Sequence, residues 1–512
     1  MIRNDSTAVR QERITLWAVI IASVLFRLLM LQSINEGPDE VDYWFAATRL
    51  FSDLPYPEIM HRTIRWPIIV PTAVAQLVTG IHPAMYYVIP LILSPIQAVL
   101  IYCLIRRHAG RTPAVIGVVL LLAFPYLIRS NSQIRPEPFV LVFLPAMWLA
   151  FDRYLHTGRR RALAYAATWL FIAYLTKITS IYFLPGMLFV IVWAHRHDLR
   201  RAATDALFFG GILLVGYIVE HSLYALPADQ SLGRLGIIMG THVPGTVRED
   251  ALASFWELFN RYRFEFLPVP WHLLLLGGLS AIVVEWKRYP WMRAFVPPFL
   301  GFIVLMTFLV SSTDPLVPVE PFNNRYFIPV AFIPVVAIAV AVGMRLPRFE
   351  GVLRGGLVTY APLALVVAAA TVSLLPLPRA AQRFYTPISR LQDHPLAQTK
   401  QITAATDEAL NSGRVIVSVD EPGGANNKAL DLVNRMMMPH LRPAEAPYTR
   451  SSWTTSSFQL DYLVTRPEHA SLEHEYRTGR VSRDALLVHR RPLRVERTTL
   501  GEVILRYTSS KE

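Results

Sequence analysis

Apolar runs recur along the first three quarters of the chain, separated by short polar stretches, and then they stop. A helix needs about 20 mostly apolar residues to cross the hydrocarbon core of a bilayer. Eleven runs approach that length: Ile14–Ile34, Met85–Ile105, Pro113–Ile128, Phe139–Tyr154, Leu163–Lys177, Ile181–Trp193, Ala206–Leu223, Trp271–Val284, Ala294–Val310, Tyr326–Val342 and Gly356–Leu375. The fifth, sixth and eighth are short and admit merging or re-division. The pattern predicts a polytopic α-helical membrane protein of about 11 transmembrane helices. The first run lacks an Ala-x-Ala type cleavage site, so it reads as a retained span rather than a signal peptide.

The polar stretches between runs test the count. Every second one is basic: Arg3/Arg10/Arg13, Arg106/Arg107/Arg111, Arg159/Arg160/Arg161, Arg196/Arg200/Arg201, Lys287/Arg288/Arg293 and Arg345/Arg348/Arg354. Positive residues stay on the cytoplasmic side, which predicts a cytoplasmic N-terminus and, with an odd number of spans, a C-terminus outside. A missed span would have broken the alternation.

The same reading divides the chain at residue 376. Residues 1–376 form the transmembrane domain, with a first outer loop, 35–84, expected to carry one or two interfacial helices such as Trp66–Val78. Residues 377–512 change character. Strand-like runs at Val415–Val419, Tyr462–Val464 and Val503–Tyr507 and a helix-like run at Asn427–Met438 predict a small α/β domain, periplasmic by the topology.

Composition agrees with a membrane protein: 53% of the residues are hydrophobic and 17% charged, with mean hydropathy +0.35. The net charge of +13 is scattered in the short basic clusters, so it signals orientation rather than a nucleic-acid surface. Cys103 is the single cysteine, which excludes an intramolecular disulfide. Arg outnumbers Lys 45 to 5, as in GC-rich bacterial genomes. The chain has no P-loop, dinucleotide fingerprint or nucleophile elbow. His61, His82, His221 and His242 have no metal-ligand spacing. A divalent cation on Asp39 or Asp42 is compatible with the sequence, but no pattern requires one.

The candidate chemistry lies on the outer side. Topology gathers Asp39, Glu40, Asp42, Arg62, Arg65, Arg135, Glu137, Lys177 and Arg325 there from separate segments. Ionisable groups at membrane depth are costly and usually functional. Carboxylates can accept a hydroxyl proton, and Arg and Lys can hold a phosphate. Each residue also has a plainer reading. Asp39 and Glu40 follow Pro38 at a helix start, where acids suit the dipole, and Glu137 follows Pro136 in the same way. Lys177 can be a snorkelling anchor. Arg325-Tyr326 and Arg62 to Trp66 can belong to the aromatic belt. Arg27, inside the first span, needs a partner or a water-filled cavity.

Several of these pieces come in an ordered set: Arg27, Pro38-Asp39-Glu40-x-x-Tyr43, Arg65-Trp66-Pro67, Arg135-Pro136-Glu137, Leu175-Thr176-Lys177 with Leu184-Pro185, and Arg325-Tyr326-Phe327-Ile328-Pro329. In order and sidedness the set resembles the GT-C superfamily of membrane glycosyltransferases, in the bacterial branch similar to protein O-mannosyltransferases and aminoarabinose transferases (glycosyltransferase family 39 and relatives). The resemblance implies transfer of a sugar from a polyprenyl-phosphate donor to a lipid, glycan or protein acceptor on the periplasmic face of a bacterial inner membrane. It implies Asp39 as catalytic carboxylate with Glu40 beside it. It implies Arg65, Lys177, Arg325 and Tyr326 at the donor phosphate, with Asp42, Arg62 and Glu137 in support. The tail matches no motif, so the acceptor is not readable from it. Three rival readings remain: a transporter or flippase for lipid-linked sugars, an oligosaccharide ligase, and a non-catalytic cell-envelope assembly protein.

Overall fold

A computed structural model describes residues 6–31, 38–51, 61–81, 83–228, 267–308, 324–345 and 361–368, short stretches between 233 and 263, and strands at 310–318 and after 415. The helices are α1 (Ser6–Leu29), α2 (Pro38–Leu50), α3 (Trp66–Thr79), α4 (Val88–Ala109), α5 (Arg111–Ala123), α6 (Pro125–Ser130) and α7 (Pro136–Thr157). They continue as α8 (Arg160–Thr176), α9 (Leu184–Ala194), α10 (Leu199–Ala228), α11 (Val269–Glu285), α12 (Val296–Thr307) and α13 (Phe332–Gly343). All eleven apolar runs fall at least partly on helix. Among the described residues four helical stretches are long and apolar enough to cross a membrane: Met85–Ala109, Pro136–Thr157, Leu199–Tyr224 and Pro290–Thr307. A fifth forms if Asn324–Val330 and α13, bent by 60°, count as one span. The protein is a polytopic α-helical membrane protein.

Proline explains where the runs are interrupted. The run Pro113–Ile128 is not one helix: α5 ends before Phe124, whose extended backbone (φ −70°, ψ 119°) precedes Pro125 and α6. A residue before proline is pushed out of the helical region. Pro185, Pro297 and Pro298 likewise sit in the first turn of α9 and α12, after 3-10 turns at Ile178–Phe183 and Pro290–Phe295. There a missing N–H costs nothing. The helix α1 ends at Leu29, short of the expected Ile34, and 32–37 lie outside the described residues.

Between residues 35 and 84 lie two helices, α2 and α3, the second covering most of the stretch Trp66–Val78. A short antiparallel hairpin pairs Val310–Thr313 (β1) with Leu316–Pro318 (β2). In the tail, Val415–Ser418 (β3), Tyr448–Arg450 (β4), Leu460–Thr465 (β5), Arg490–Arg497 (β6) and Val503–Ser509 (β7) form a mixed sheet of order β4-β3-β5-β7-β6. The three strand-like runs fall on β3, β5 and β7. The helix-like run Asn427–Met438 lies outside the described residues.

Apolar side chains from α1, α4, α5, α7, α8 and α11 to α13 make one continuous core. The two ends of that core differ. At one end the basic clusters meet acids: Arg106 with Glu12 at 3.0 Å, Arg107 with Asp152 at 3.0 Å, Arg160 with Asp205 at 2.8 Å and Arg345 with Glu285 at 2.7 Å. The opposite end holds the buried polar groups described below.

Close helix approach depends on small residues. A Cβ on Gly186 of α9 would lie 2.3 Å from the Pro298 backbone nitrogen of α12. We expect Gly186→Ala to lower the melting temperature in detergent, since overpacking costs roughly 1–3 kcal/mol. Gly210→Ala, which meets nothing within 4 Å, should leave it unchanged or slightly raised. Equal melting of the two variants would contradict the packing.

Candidate functional site

The chain from Asn131 to Glu137 is buried although most of it is polar. Buried polar groups need partners, and much of this segment finds them in neighbouring elements, although the Gln133 amide makes no hydrogen bond. The side chain of Asn131 donates to Gln97 Oε1 at 2.8 Å, and Gln97 in turn donates to the Pro138 carbonyl at 2.7 Å. Ser132 donates within 2.9 Å of the Met30 and Ile128 carbonyls. The Ile134 N–H donates to Tyr86 Oη at 3.0 Å. Arg27 in α1 has the partner its sequence position demands: it donates to the Ile128 carbonyl at 2.7 Å and to Ser132 Oγ at 3.2 Å. These bonds fix the residues on either side of Pro136, where α7 begins.

Arg135 and Glu137 flank that proline and point their charges to different partners. Arg135 pairs with Glu40 of α2, whose carboxylate is fully buried. Burial works against the Arg135 charge, but the carboxylates of Glu40 and Glu137 outweigh it and hold the guanidinium above its ordinary pKa. Glu137 accepts from Lys177 Nζ at 2.7 Å, both side chains being buried. Lys177 is placed by the end of α8: it follows Thr176 in extended backbone and leads into a 3-10 turn. Its ammonium also donates to the Arg325 carbonyl at 2.9 Å and lies 5.1 Å from the Tyr326 ring centroid. The snorkelling reading of Lys177 is therefore set aside: its amine turns inward to Glu137.

The helix α2 supplies two further contacts. Asp42 Oδ2 accepts from Arg62 at 2.6 Å, which commits one oxygen that a cation would need. Tyr43 Oη accepts from Arg65 at 2.5 Å. Asp39 is the second residue of α2, and its side chain lies outside the described residues. The charges of Arg65 and Arg325 act on Lys177, and that of Arg325 acts also on Arg135 and Glu137. So Arg65, Arg135, Lys177 and Arg325, from four segments, form one electrostatically linked group with the buried carboxylates Glu40 and Glu137. Among the described residues the cluster has an excess of positive charge. Arg65 and Arg325 are partly exposed, as groups meeting a ligand would be.

Sequence reasoning missed a second buried pair beside this cluster. Arg234 pairs with Glu220 of α10 at 2.5 Å and donates to the Ile64 carbonyl at 2.7 Å. Tyr224 bonds Trp66 Nε1 at 2.5 Å. Together they clamp the stretch that carries Arg62 and Arg65. The available signal was Glu220 itself, an acid at the end of the apolar run Ala206–Leu223.

The Glu137–Lys177 pair can be tested by stability alone. Breaking a buried pair on one side costs about 3–5 kcal/mol, while an apolar replacement of both partners is often tolerated. We expect Lys177→Met to melt well below the wild type and Glu137→Leu/Lys177→Met to recover most of the loss. A double variant as unstable as the sum of the singles would contradict the pairing.

Comparison with known proteins gives two findings. The family model described as dolichyl-phosphate-mannose-protein mannosyltransferase matches residues 70–220, a span that includes Arg135, Glu137 and Lys177. The crystal structure of ArnT from Cupriavidus metallidurans bound to undecaprenyl phosphate is similar over 99% of each chain, with 15% identity and a TM-score of 0.50. No curated protein matches the chain. The chain thus has the fold of the ArnT structure and, over residues 70–220, resembles the mannosyltransferase family in sequence.

Proposed function

We propose that this protein is an integral membrane glycosyltransferase that takes a sugar from a polyprenyl-phosphate donor and passes it to an acceptor at the membrane surface. The observation that carries the proposal is the cationic cluster of Arg65, Arg135, Lys177 and Arg325 at one end of an apolar helix bundle. A phosphate on a polyprenyl chain has matching chemistry: its anion needs cations and its tail needs lipid. The ArnT structure of similar fold contains such a molecule, undecaprenyl phosphate. We take this end to be periplasmic, since the opposite end carries the basic loops, and the membrane to be the bacterial inner membrane. The tail sheet then belongs to a periplasmic domain.

The roles follow from the chemistry. When the glycosidic bond breaks, the leaving group is a phosphate monoester. It needs charge stabilisation and little protonation. Arg65, Lys177 and Arg325 supply that charge, with Tyr326 beside the Lys177 amine. Glu40 and Glu137 are engaged with Arg135 and Lys177, so they act as positioning residues that hold the cations in place. Asp42 does the same for Arg62. This assignment leaves Asp39, one residue before Glu40 at the start of α2, as the base that accepts the acceptor hydroxyl proton. The acceptor is a hydroxyl of lipid A, an envelope glycan or a protein. A transporter or flippase would carry its charges along a path through the bilayer, whereas these charges gather at one end. A ligase acting on diphosphate donors would rest on the arginines and not on Asp39.

The test is donor turnover in membranes expressing wild type or Asp39→Asn, read as release of sugar from the polyprenyl-phosphate-sugar pool. General-base removal should cost about 10²–10⁴-fold, with protein level and membrane insertion unchanged. Equal turnover by both proteins would remove Asp39 from the role. Absence of turnover in either would favour the transport or assembly readings.

A further inference from the structure

At the opposite end of the bundle, about one helix length from the cationic cluster, three metal-binding side chains converge. His108 comes from the last turn of α4, and Asp152 and His156 from the last turns of α7. Their ligand atoms all lie within 4.8 Å of one another. We propose that His108, Asp152 and His156 form a binding site for a divalent transition-metal ion, with Zn²⁺ the best chemical fit.

The geometry is close to what zinc needs. Zn–N and Zn–O bonds are about 2.0–2.2 Å long, which sets neighbouring ligands in a tetrahedron about 3.3–3.5 Å apart. Asp152 Oδ1 is 3.0 Å from His108 Nε2 and 3.2 Å from His156 Nδ1. Two edges of the tetrahedron are therefore nearly in place. Asp152 and His156 are four residues apart on one helix, so both fall on the same face.

The local bonding supports a ligand between them. His108 Nε2 is buried and makes no hydrogen bond, even though Asp152 Oδ1 is within reach. The side chain of His108 is 8% exposed, so water does not readily satisfy that nitrogen. Its ring is stacked on Trp291, with centroids 4.4 Å apart, which fixes the direction of the nitrogen. Arg107 Nη1 lies 3.0 Å from the other Asp152 oxygen, Oδ2, an ion pair on the far side of the carboxylate. Oδ2 makes no hydrogen bond, but Oδ1 is the oxygen that faces both imidazoles and is the ligand. His156 is about half exposed and gives an entry path. Its Nδ1 now bonds the Asp152 carbonyl at 2.8 Å, so metal binding requires the ring to shift its proton to the outward nitrogen. Two imidazoles and a carboxylate suit zinc. Hard ions such as Mg²⁺ prefer all-oxygen sets.

Bound metal would join the ends of α4 and α7. Those ends already meet through Asp152 and through the His108 and His156 rings, whose centroids are 5.3 Å apart. The sequence concealed the site because its two halves lie 44 residues apart, between His108 and Asp152.

The experiment uses the full-length protein, tag removed, in detergent. It is equilibrated with Zn²⁺ against a competing chelator, and metal content is read by mass spectrometry together with the melting temperature. Wild type should retain about one zinc per chain and melt higher with zinc than with EDTA. His156→Gln, at an exposed position, should fold normally, melt like wild type in EDTA and bind zinc at least tenfold more weakly. His108→Gln should show the same loss of zinc binding. Zinc retention no greater than in a parallel sample given Mg²⁺ would overturn the proposal. So would equal retention in wild type and both variants.

Discussion

The structure turns on one constraint: a carboxylate buried in an apolar bundle must be paired, and the pair must be worth its desolvation. Glu137 and Lys177 meet that condition at 2.7 Å, at the point where α7 begins and α8 ends. Because the Lys177 amine also reaches the Arg325 carbonyl, one ion pair ties together three segments that are far apart in sequence. The Glu40–Arg135 pair does the same for α2 and the chain before α7. The acids hold the bases, and among the described residues the arrangement leaves positive charge in excess, with Arg65 and Arg325 partly exposed. Under the proposed function this cluster is the surface that meets the donor phosphate, and internal pairing is what builds it.

Much of this was legible in the sequence for a simple reason. A charge in an apolar stretch is conspicuous, so Arg27, Glu137 and Lys177 stand out at once. The alternation of basic loops also matches the way Arg106, Arg107, Arg160 and Arg345 collect at a common end. What sequence does not carry is pairing. Nothing in Pro38-Asp39-Glu40 distinguishes the residue that turns to Arg135 from its neighbour. The structure supplies that distinction for Glu40. Glu137 sits in the first turn of α7, as a helix-capping role requires. It also binds Lys177, so the two readings are not exclusive.

The elements that sequence drew least well are those where proline overrides hydropathy. The run Pro113–Ile128 is apolar throughout, yet Pro125 divides it into α5 and α6 and turns α6 toward Arg27. Ile128 lies in the last turn of α6, which ends at Ser130, so its carbonyl has no helical donor and accepts from a buried guanidinium. Arg234 and Glu220 escaped notice because the arginine lies in a polar loop, where it is unremarkable until the fold buries it. His108 escaped because only the fold brings α7 beside it.

The central claim is that the cationic end of the bundle receives a polyprenyl phosphate. The most direct measurement is photo-crosslinking with an undecaprenyl phosphate analogue carrying a diazirine near the phosphate, followed by peptide mapping. The account predicts crosslinks at residues 61–66, 177–183 and 324–326. Crosslinks concentrated instead at the arginine-rich end, at 106–111 and 159–161, would contradict it.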